Sequence, residues 1–78
     1  PNPFNPSFIV PFELYSTQDV DIRLYSSSGQ MVRHIAGGSY SAGQYAFNVY
    51  CNDLSSGVYI LKAVIGGQAS TQKMLLVK

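Results

Sequence analysis

The sequence predicts a small all-β protein, an antiparallel sandwich of six to seven strands. Successive runs alternate apolar and polar residues with a period of two, and they recur at a spacing of roughly ten residues. Turns rich in glycine and serine separate these runs, and no window has the 3.6-residue apolar periodicity of a capped helix. Short strands at this spacing are typical of an antiparallel sandwich.

The composition is that of one globular domain. A chain of 78 residues buries only about 60% of its unfolded surface, which leaves nothing for a second core. Hydrophobic residues make up 46% and charged residues 12%, so a core can form beneath a weakly charged surface. Because Cys51 is the only cysteine, no intrachain disulfide can form and stability must come from packing.

The charge distribution argues against two classes of partner. The net charge is +1, and the five basic residues are scattered singly, which leaves no patch that could follow a phosphate backbone. We therefore expect no nucleic acid partner. No apolar run approaches the roughly 18 residues needed to span a bilayer, so we expect no direct membrane insertion. If the protein is exported, the N-terminal export signal lies outside this segment or takes another form.

The first half of the chain contains three predicted strands. Residues 7–15 place Phe8, Val10, Phe12 and Leu14 on one face. Pro11 has no N–H to donate, which indicates an edge strand. Residues 20–25 resume the alternation, and we expect them to form a hairpin with the first strand or to lie beside it. After a turn at 26–29, residues 30–35 predict a short third strand.

The second half supplies the remaining strands. The glycine- and serine-rich stretch 36–43 predicts a connection from one sheet to the other. Leu54 is the one apolar residue of the loop at 51–57, and we expect it to pack into the core from the side of this loop. Gly66 and Gly67 predict a tight hairpin turn. A seventh strand could lie in 1–5 or 38–41. Three further strands are predicted: 44–50, a central strand at 58–65 that is apolar on both faces, and a final run at 68–78.

Residues with catalytic chemistry are few and isolated. His34 is the only histidine and has no partner identifiable by spacing, so a solvated strand residue is favoured over a catalytic base. Cys51, beside Asn52 and Asp53, is favoured as an unreactive loop cysteine over a thiol nucleophile. The four acidic residues lack the spacing of an oxygen-ligand loop. The sequence therefore predicts a protein that is not an enzyme and has no cofactor and no metal site.

The six tyrosines allow a second interpretation. They could form an aromatic platform for sugars, as in a carbohydrate-binding module. Tyrosine is also an ordinary strand residue with an apolar body, so packing in the core or on a sheet is the preferred interpretation.

Several motifs occur in an order and spacing that resemble one known family. They are PNPFNPS at 1–7, FEL at 12–14, L-Y-x-x-x-G-x-x-V at 24–32, AGQYAFNV at 42–49, DLSSGVYIL at 53–61 and QKMLLVK at 72–78. Together they resemble the type A C-terminal sorting domain of the type IX secretion system, also called the Por secretion tail, of Bacteroidetes. The resemblance covers essentially the whole chain, and the immunoglobulin-like domain of the flagellar hook-capping protein has similar turns.

The resemblance implies a fold and a function. It implies an immunoglobulin-like β-sandwich at the C-terminus of a larger exported protein, attached covalently to an N-terminal cargo domain. Such cargo crosses the periplasm, and the tail is recognised by the outer-membrane type IX translocon. A cell-surface sortase usually removes the tail and joins the cargo to anionic lipopolysaccharide, so the expected location is the cell surface or the extracellular space.

The resemblance also implies where recognition occurs. Residues 1–6 would be a lead-in at the border with the cargo, and 7–78 the sorting domain. We expect Phe4 to tuck against the sandwich. The edge strand or the C-terminal strand could accept a strand from a partner, and deleting 73–78 should then abolish export. The candidate recognition residues are Pro1, Asn2, Pro3, Phe4, Asn5, Pro6, Gly57, Val58, Tyr59, Lys73, Met74, Leu75, Leu76, Val77 and Lys78.

Two other functions are compatible with the residues alone. The domain could be a passive immunoglobulin-like module that braces a neighbouring enzyme or surface domain. Less favoured is the carbohydrate-binding module. A sorting tail must be C-terminal whereas a brace need not be, so we expect KMLLVK to end the parent chain.

Overall fold

The computed structural model describes residues 6–78, which form two antiparallel sheets packed face to face. This confirms the prediction of a small all-β sandwich. Phe4 and the possible strand at 1–5 lie outside the described residues. The six strands of the described part are β1 (Ser7–Leu14), β2 (Gln18–Ser26), β3 (Met31–Tyr40), β4 (Gly43–Tyr50), β5 (Gly57–Ile65) and β6 (Gln68–Leu76).

The strands divide unequally between the sheets. One sheet contains β1 and β4, and the other has the order β3-β2-β5-β6. The structure confirms β1 as an edge strand and β5 as a central one. β1 and β2 are consecutive but lie in different sheets, so the expected hairpin between them does not form. The apolar face of each strand, which includes Val10 on β1 and Ile22 on β2, is buried between the sheets instead of sharing one sheet surface.

The third strand is longer than the sequence predicts. β3 continues to Tyr40 through the stretch that was expected to be a connection, and only Ser41 and Ala42 carry the chain to β4 in the other sheet. Glycine is compatible with this strand for a steric reason. A Cβ atom at Gly37 would lie 2.9 Å from two ring atoms of His34, so the histidine ring occupies the space that a side chain would fill.

The core fills the space between the two sheets. Leu54 packs against it from the loop after β4, as predicted, and the Gly66-Gly67 turn has positive φ at both residues, as a two-residue hairpin requires. The alternation of apolar residues on β1, β2 and β4 thus corresponds to one buried face on each strand. The buried apolar side chains of the described residues are Val10, Leu14, Val20, Ile22, Leu24, Ala36, Val49, Cys51 and Tyr59.

Candidate functional site

The lone histidine is part of an exposed cluster on the outer face of the larger sheet. His34 Nε2 lies 2.8 Å from Asp21 Oδ1, and Arg23 Nε lies 2.9 Å from Asp21 Oδ2. The pKa of the Asp21 carboxyl is lowered, chiefly by the hydrogen bond with His34 and further by Arg23. No nucleophilic side chain is among these contacts. The cluster therefore stabilises the pairing of β2 with β3 and does not resemble a catalytic site.

This cluster makes stability depend on acid pH. Because the pKa of Asp21 is below its ordinary value of 3.8 in the folded state, its carboxylate stabilises the fold above that value, and this contribution is lost as the pH falls through the lower folded pKa. We expect urea denaturation to show a stability difference between the wild type and Asp21→Asn at pH 6 to 7. The difference should shrink as the pH falls below about 3.8 and vanish once the pH is below the folded pKa of Asp21. A difference that is constant across this range would contradict the assignment.

Cys51 is the first residue of the loop after β4, and its side chain is buried in the core. Its side chain is 1% exposed, and burial raises the pKa of the thiol. A thiol held protonated and out of contact with solvent is a poor nucleophile. The preferred interpretation of Cys51 as an unreactive residue therefore has a physical basis in its packing.

The described part of the chain contains neither a metal cluster nor a membrane-spanning helix. Among residues 6–78, no three of the His, Cys, Asp and Glu side chains are placed to hold a metal ion. The same residues include no helical segment with the length and hydrophobicity to cross a membrane.

The aromatic side chains form a cluster between the sheets. The Phe12 ring stacks on Tyr45 with a centroid distance of 5.0 Å and on Phe47 at 5.7 Å, and the Tyr40 ring meets all three rings edge to face. The Tyr45 hydroxyl donates to the Ser41 carbonyl at 2.7 Å. These rings pack against one another, so packing between the sheets, the preferred interpretation, accounts for this cluster.

Pro6 and Lys78, the first and last residues that the structure describes, both contact one loop at one end of the sandwich, which we call the terminal pole. The Cys51 N–H donates to the Pro6 carbonyl at 3.0 Å, where the chain enters the fold. Lys78 Nζ donates to the Asn52 carbonyl at 2.6 Å, and its backbone N–H donates to Ser56 Oγ at 3.0 Å. The loop 51–56 therefore holds both the entry point and the final residue.

Further contacts make this loop a rigid part of the terminal pole. The Tyr59 hydroxyl donates to the Ser55 carbonyl at 2.7 Å. Arg33 reaches from β3 to form an ion pair with Asp53, and it also donates to the Tyr50 carbonyl at 3.3 Å. Side chains from β3 and β5, two strands of the larger sheet, thus hold a segment that has no regular structure of its own.

The candidate recognition residues on β5 and β6 divide between the two faces of the sheet. Tyr59, Met74 and Leu76 point inward, where Tyr59 is buried and the other two pack against the core. Val58 and Leu75 are cross-strand neighbours on the outer face, and Leu75 is 73% exposed. Because side chains alternate along a strand, only every second residue of these motifs is available to a partner.

Three residues outside the candidate recognition set extend this outer surface. The strand register places Met31 beside Tyr25, Tyr25 beside Ile60 and Ile60 beside Lys73 on the outer face. The row Val58–Leu75 lies directly next to it, toward the terminal pole. Only the pairing of β2 with β3 and β5 reveals these neighbours. We define the outer patch as Tyr25, Met31, Val58, Ile60 and Leu75.

The rim of the outer patch is basic. β5 and β6 carry Lys62 and Lys73 and no acidic residue, and Lys78 follows β6. Lys73 neighbours Ile60 directly across the strand pair. The two strands therefore present apolar and positively charged side chains on the same outer face.

Comparison with known proteins identifies the family. The family described as the secretion system C-terminal sorting domain matches residues 1–78, which is the whole chain. Comparisons with curated proteins and with solved structures gave no significant match. Domains of this family are non-catalytic signals that are attached to a cargo protein and engage the type IX system, which exports the cargo to the cell surface or the extracellular space. The chain therefore belongs to the family of type IX secretion system C-terminal sorting domains.

Proposed function

We propose that the outer-membrane translocon of the type IX system recognises this domain through the outer patch and the basic residues beside it. The observation that supports this is the apolar character of an outer sheet face. The solvated face of an antiparallel sheet is normally polar, and clustered exposed apolar residues mark interaction sites. Among the candidate residues, Val58, Lys73 and Leu75 would make contact, whereas Tyr59, Met74 and Leu76 would hold the strands in position.

The terminal pole supports a role for the border with the cargo. The cargo would be joined at residues 1–6, with the sorting domain at 7–78. The sequence of this segment favours an extended chain, because proline has no N–H to donate to a ladder and the residue before it avoids the helical region. Such a segment suits a protease that binds extended substrates. We propose that a surface sortase cuts this border after passage through the periplasm and links the cargo to anionic lipopolysaccharide.

Export of a fluorescent reporter fused to the N-terminus of the chain tests the recognition surface. In a bacterium with a type IX system, we expect Leu75→Glu to lower the extracellular reporter at least about tenfold, because a buried leucine contributes about 1.5–3 kcal/mol to an interface. Ile9→Glu is the matched control, since Ile9 is a large apolar residue that is 62% exposed on β1, in the other sheet and away from the outer patch. Both variants should unfold at the same temperature as the wild type.

The results of these export experiments test the recognition surface, the secretion function and the sortase step separately. Wild-type export by Leu75→Glu would show that the outer patch is not recognised. A wild-type fusion that stays in the cell would contradict the secretion function for this member. Mass spectrometry of exported cargo tests the sortase step, for which we expect a product that lacks residues 7–78.

A further inference from the structure

We propose that the free edge of β6 accepts an extended strand from the translocon, and that this partner strand carries apolar and acidic side chains. The inference rests on the proposed function and assigns its contact to one strand edge. In the described part of the chain, β1, β4, β3 and β6 each have an edge with no strand beside it. Such an edge offers unpaired N–H and C=O groups to another strand.

The edge of β1 lacks a donor at its centre. The Pro6 carbonyl accepts from Cys51 at the end of the ladder between β1 and β4, so the backbone groups of residues 8, 10, 12 and 14 point toward β4. Pro11 then faces the free edge, where it has no N–H. Proline at this position is a known means of preventing strand addition.

The edges of β3 and β4 are also obstructed. The register of β3 against β2 shifts at two places, both within residues 31–36, which makes this half of β3 irregular. Such irregularities turn an edge away from a potential partner. The Tyr50 carbonyl at the edge of β4 accepts from Arg33, whose side chain crosses from β3. These two edges therefore approach each other and are tied together at the terminal pole.

The edge of β6 has none of these obstructions. Its nine residues pair with β5 without a register shift and contain no proline. The turn at Gly66 and Gly67, with φ of 57° and 82°, makes Ile65 and Gln68 a hydrogen-bonded pair, as in a two-residue hairpin. Alternate residues from Gln68 onward thus bond to β5. The backbone groups that face the open edge belong to Ala69, Thr71, Lys73 and Leu75.

The same alternation determines which partner chemistry fits. Residues whose backbone faces the open edge also project their side chains to the outer face, next to the outer patch. An added strand would place its own side chains beside Lys73 and Leu75, and opposite charges and apolar pairs are favourable across strands. An acidic residue flanked by apolar ones matches this edge. If a second copy of this domain paired with the same edge, its lysines would lie near those of the first copy. Repulsion between these like charges disfavours edge-to-edge dimers.

Substitutions of Lys73 distinguish the contribution of its backbone N–H to export from that of its side-chain charge. The Lys73→Arg fusion should be exported like the wild type. The Lys73→Ala fusion should be exported about two- to fivefold less, because only the side-chain charge is removed. Lys73→Pro also removes the backbone N–H that faces the open edge, and its export should fall at least about tenfold. Ala46→Pro is the matched control, because its N–H faces the free edge of β4, and it should export normally. Equal export by Lys73→Pro and Lys73→Ala would overturn the proposal.

Amide hydrogen exchange provides a second test that needs no folded proline variant. Adding purified type IX outer-membrane translocon to the reporter fusion should slow exchange at the amides of Ala69, Thr71, Lys73 and Leu75. Unchanged exchange at these amides, with the translocon bound, would overturn strand addition while leaving the secretion function standing. Protection that grows with protein concentration in the absence of translocon would identify a second copy as the occupant and overturn the proposal too.

Discussion

Replacing Leu24 with alanine is expected to lower the free energy of unfolding by about 2–5 kcal/mol. Leu24 is 1% exposed and belongs to the set of largest fully buried side chains, so truncation leaves a cavity among tightly packed neighbours. Small domains are stable by only about 5 kcal/mol or slightly more. The variant should therefore be partly unfolded at 37 °C, and export of its reporter fusion should fall with it because recognition needs the strand register.

Urea denaturation followed by circular dichroism measures this effect. Asp19→Ala is the control on the same strand, since Asp19 is exposed and its replacement should change stability by less than about 0.5 kcal/mol. A loss below about 1 kcal/mol for Leu24→Ala would mean that the two sheets are not packed as described. Full export by a largely unfolded Leu24→Ala fusion would mean that the translocon recognises the chain without its fold.

Replacing Phe12 with alanine is expected to cost about 3 kcal/mol. Phe12 comes from β1, whereas the rings it meets come from β3 and β4, so it joins both sheets at the end opposite the terminal pole. Stacked and edge-to-face rings add about 0.5–1.5 kcal/mol to the burial of apolar area. Ile9→Ala is the matched control on the same strand, because Ile9 is 62% exposed.

A double-mutant cycle between Phe12 and Tyr45 isolates the contribution of ring stacking. We expect a coupling energy of about 1 kcal/mol in thermal denaturation. Strictly additive effects would contradict the stacked geometry. Reduced binding of glycans by Phe12→Ala, with stability unchanged, would instead favour a carbohydrate-binding module.

The strand faces could be predicted from the sequence, but the strand partners could not. Phe8, Val10, Phe12 and Leu14 alternate with polar or exposed residues, and this period alone identifies the buried face of β1. The same pattern is compatible with pairing to β2 or to β4, because a period of two says nothing about which edge a strand meets. Residues 36–40 were expected to be a connection, since glycine and serine weaken a strand pattern, yet the His34 ring fills the space beside Gly37.

The candidate site was predictable only in part for a related reason. Val58 and Leu75 were among the candidate recognition residues that the resemblance implies. Tyr25, Met31 and Ile60 fall within motif spans too, but they lie on three different strands and adjoin one another only through the register of the larger sheet. A motif read along the chain does not show that such residues form one surface, because an isolated apolar residue on an outer face is ordinary.

The sequence by itself determined the all-β class, the buried faces of β1, β2 and β4, the hairpin turn at Gly66-Gly67 and the motifs that resemble the family. These are local properties that depend on alternation, turn chemistry and residue order. The tertiary structure decided the division into two sheets, the terminal pole where Pro6 and Lys78 meet the loop 51–56, and the outer patch. Each of these depends on contacts between segments far apart in the chain, and those contacts are selected by packing and register over the whole sandwich.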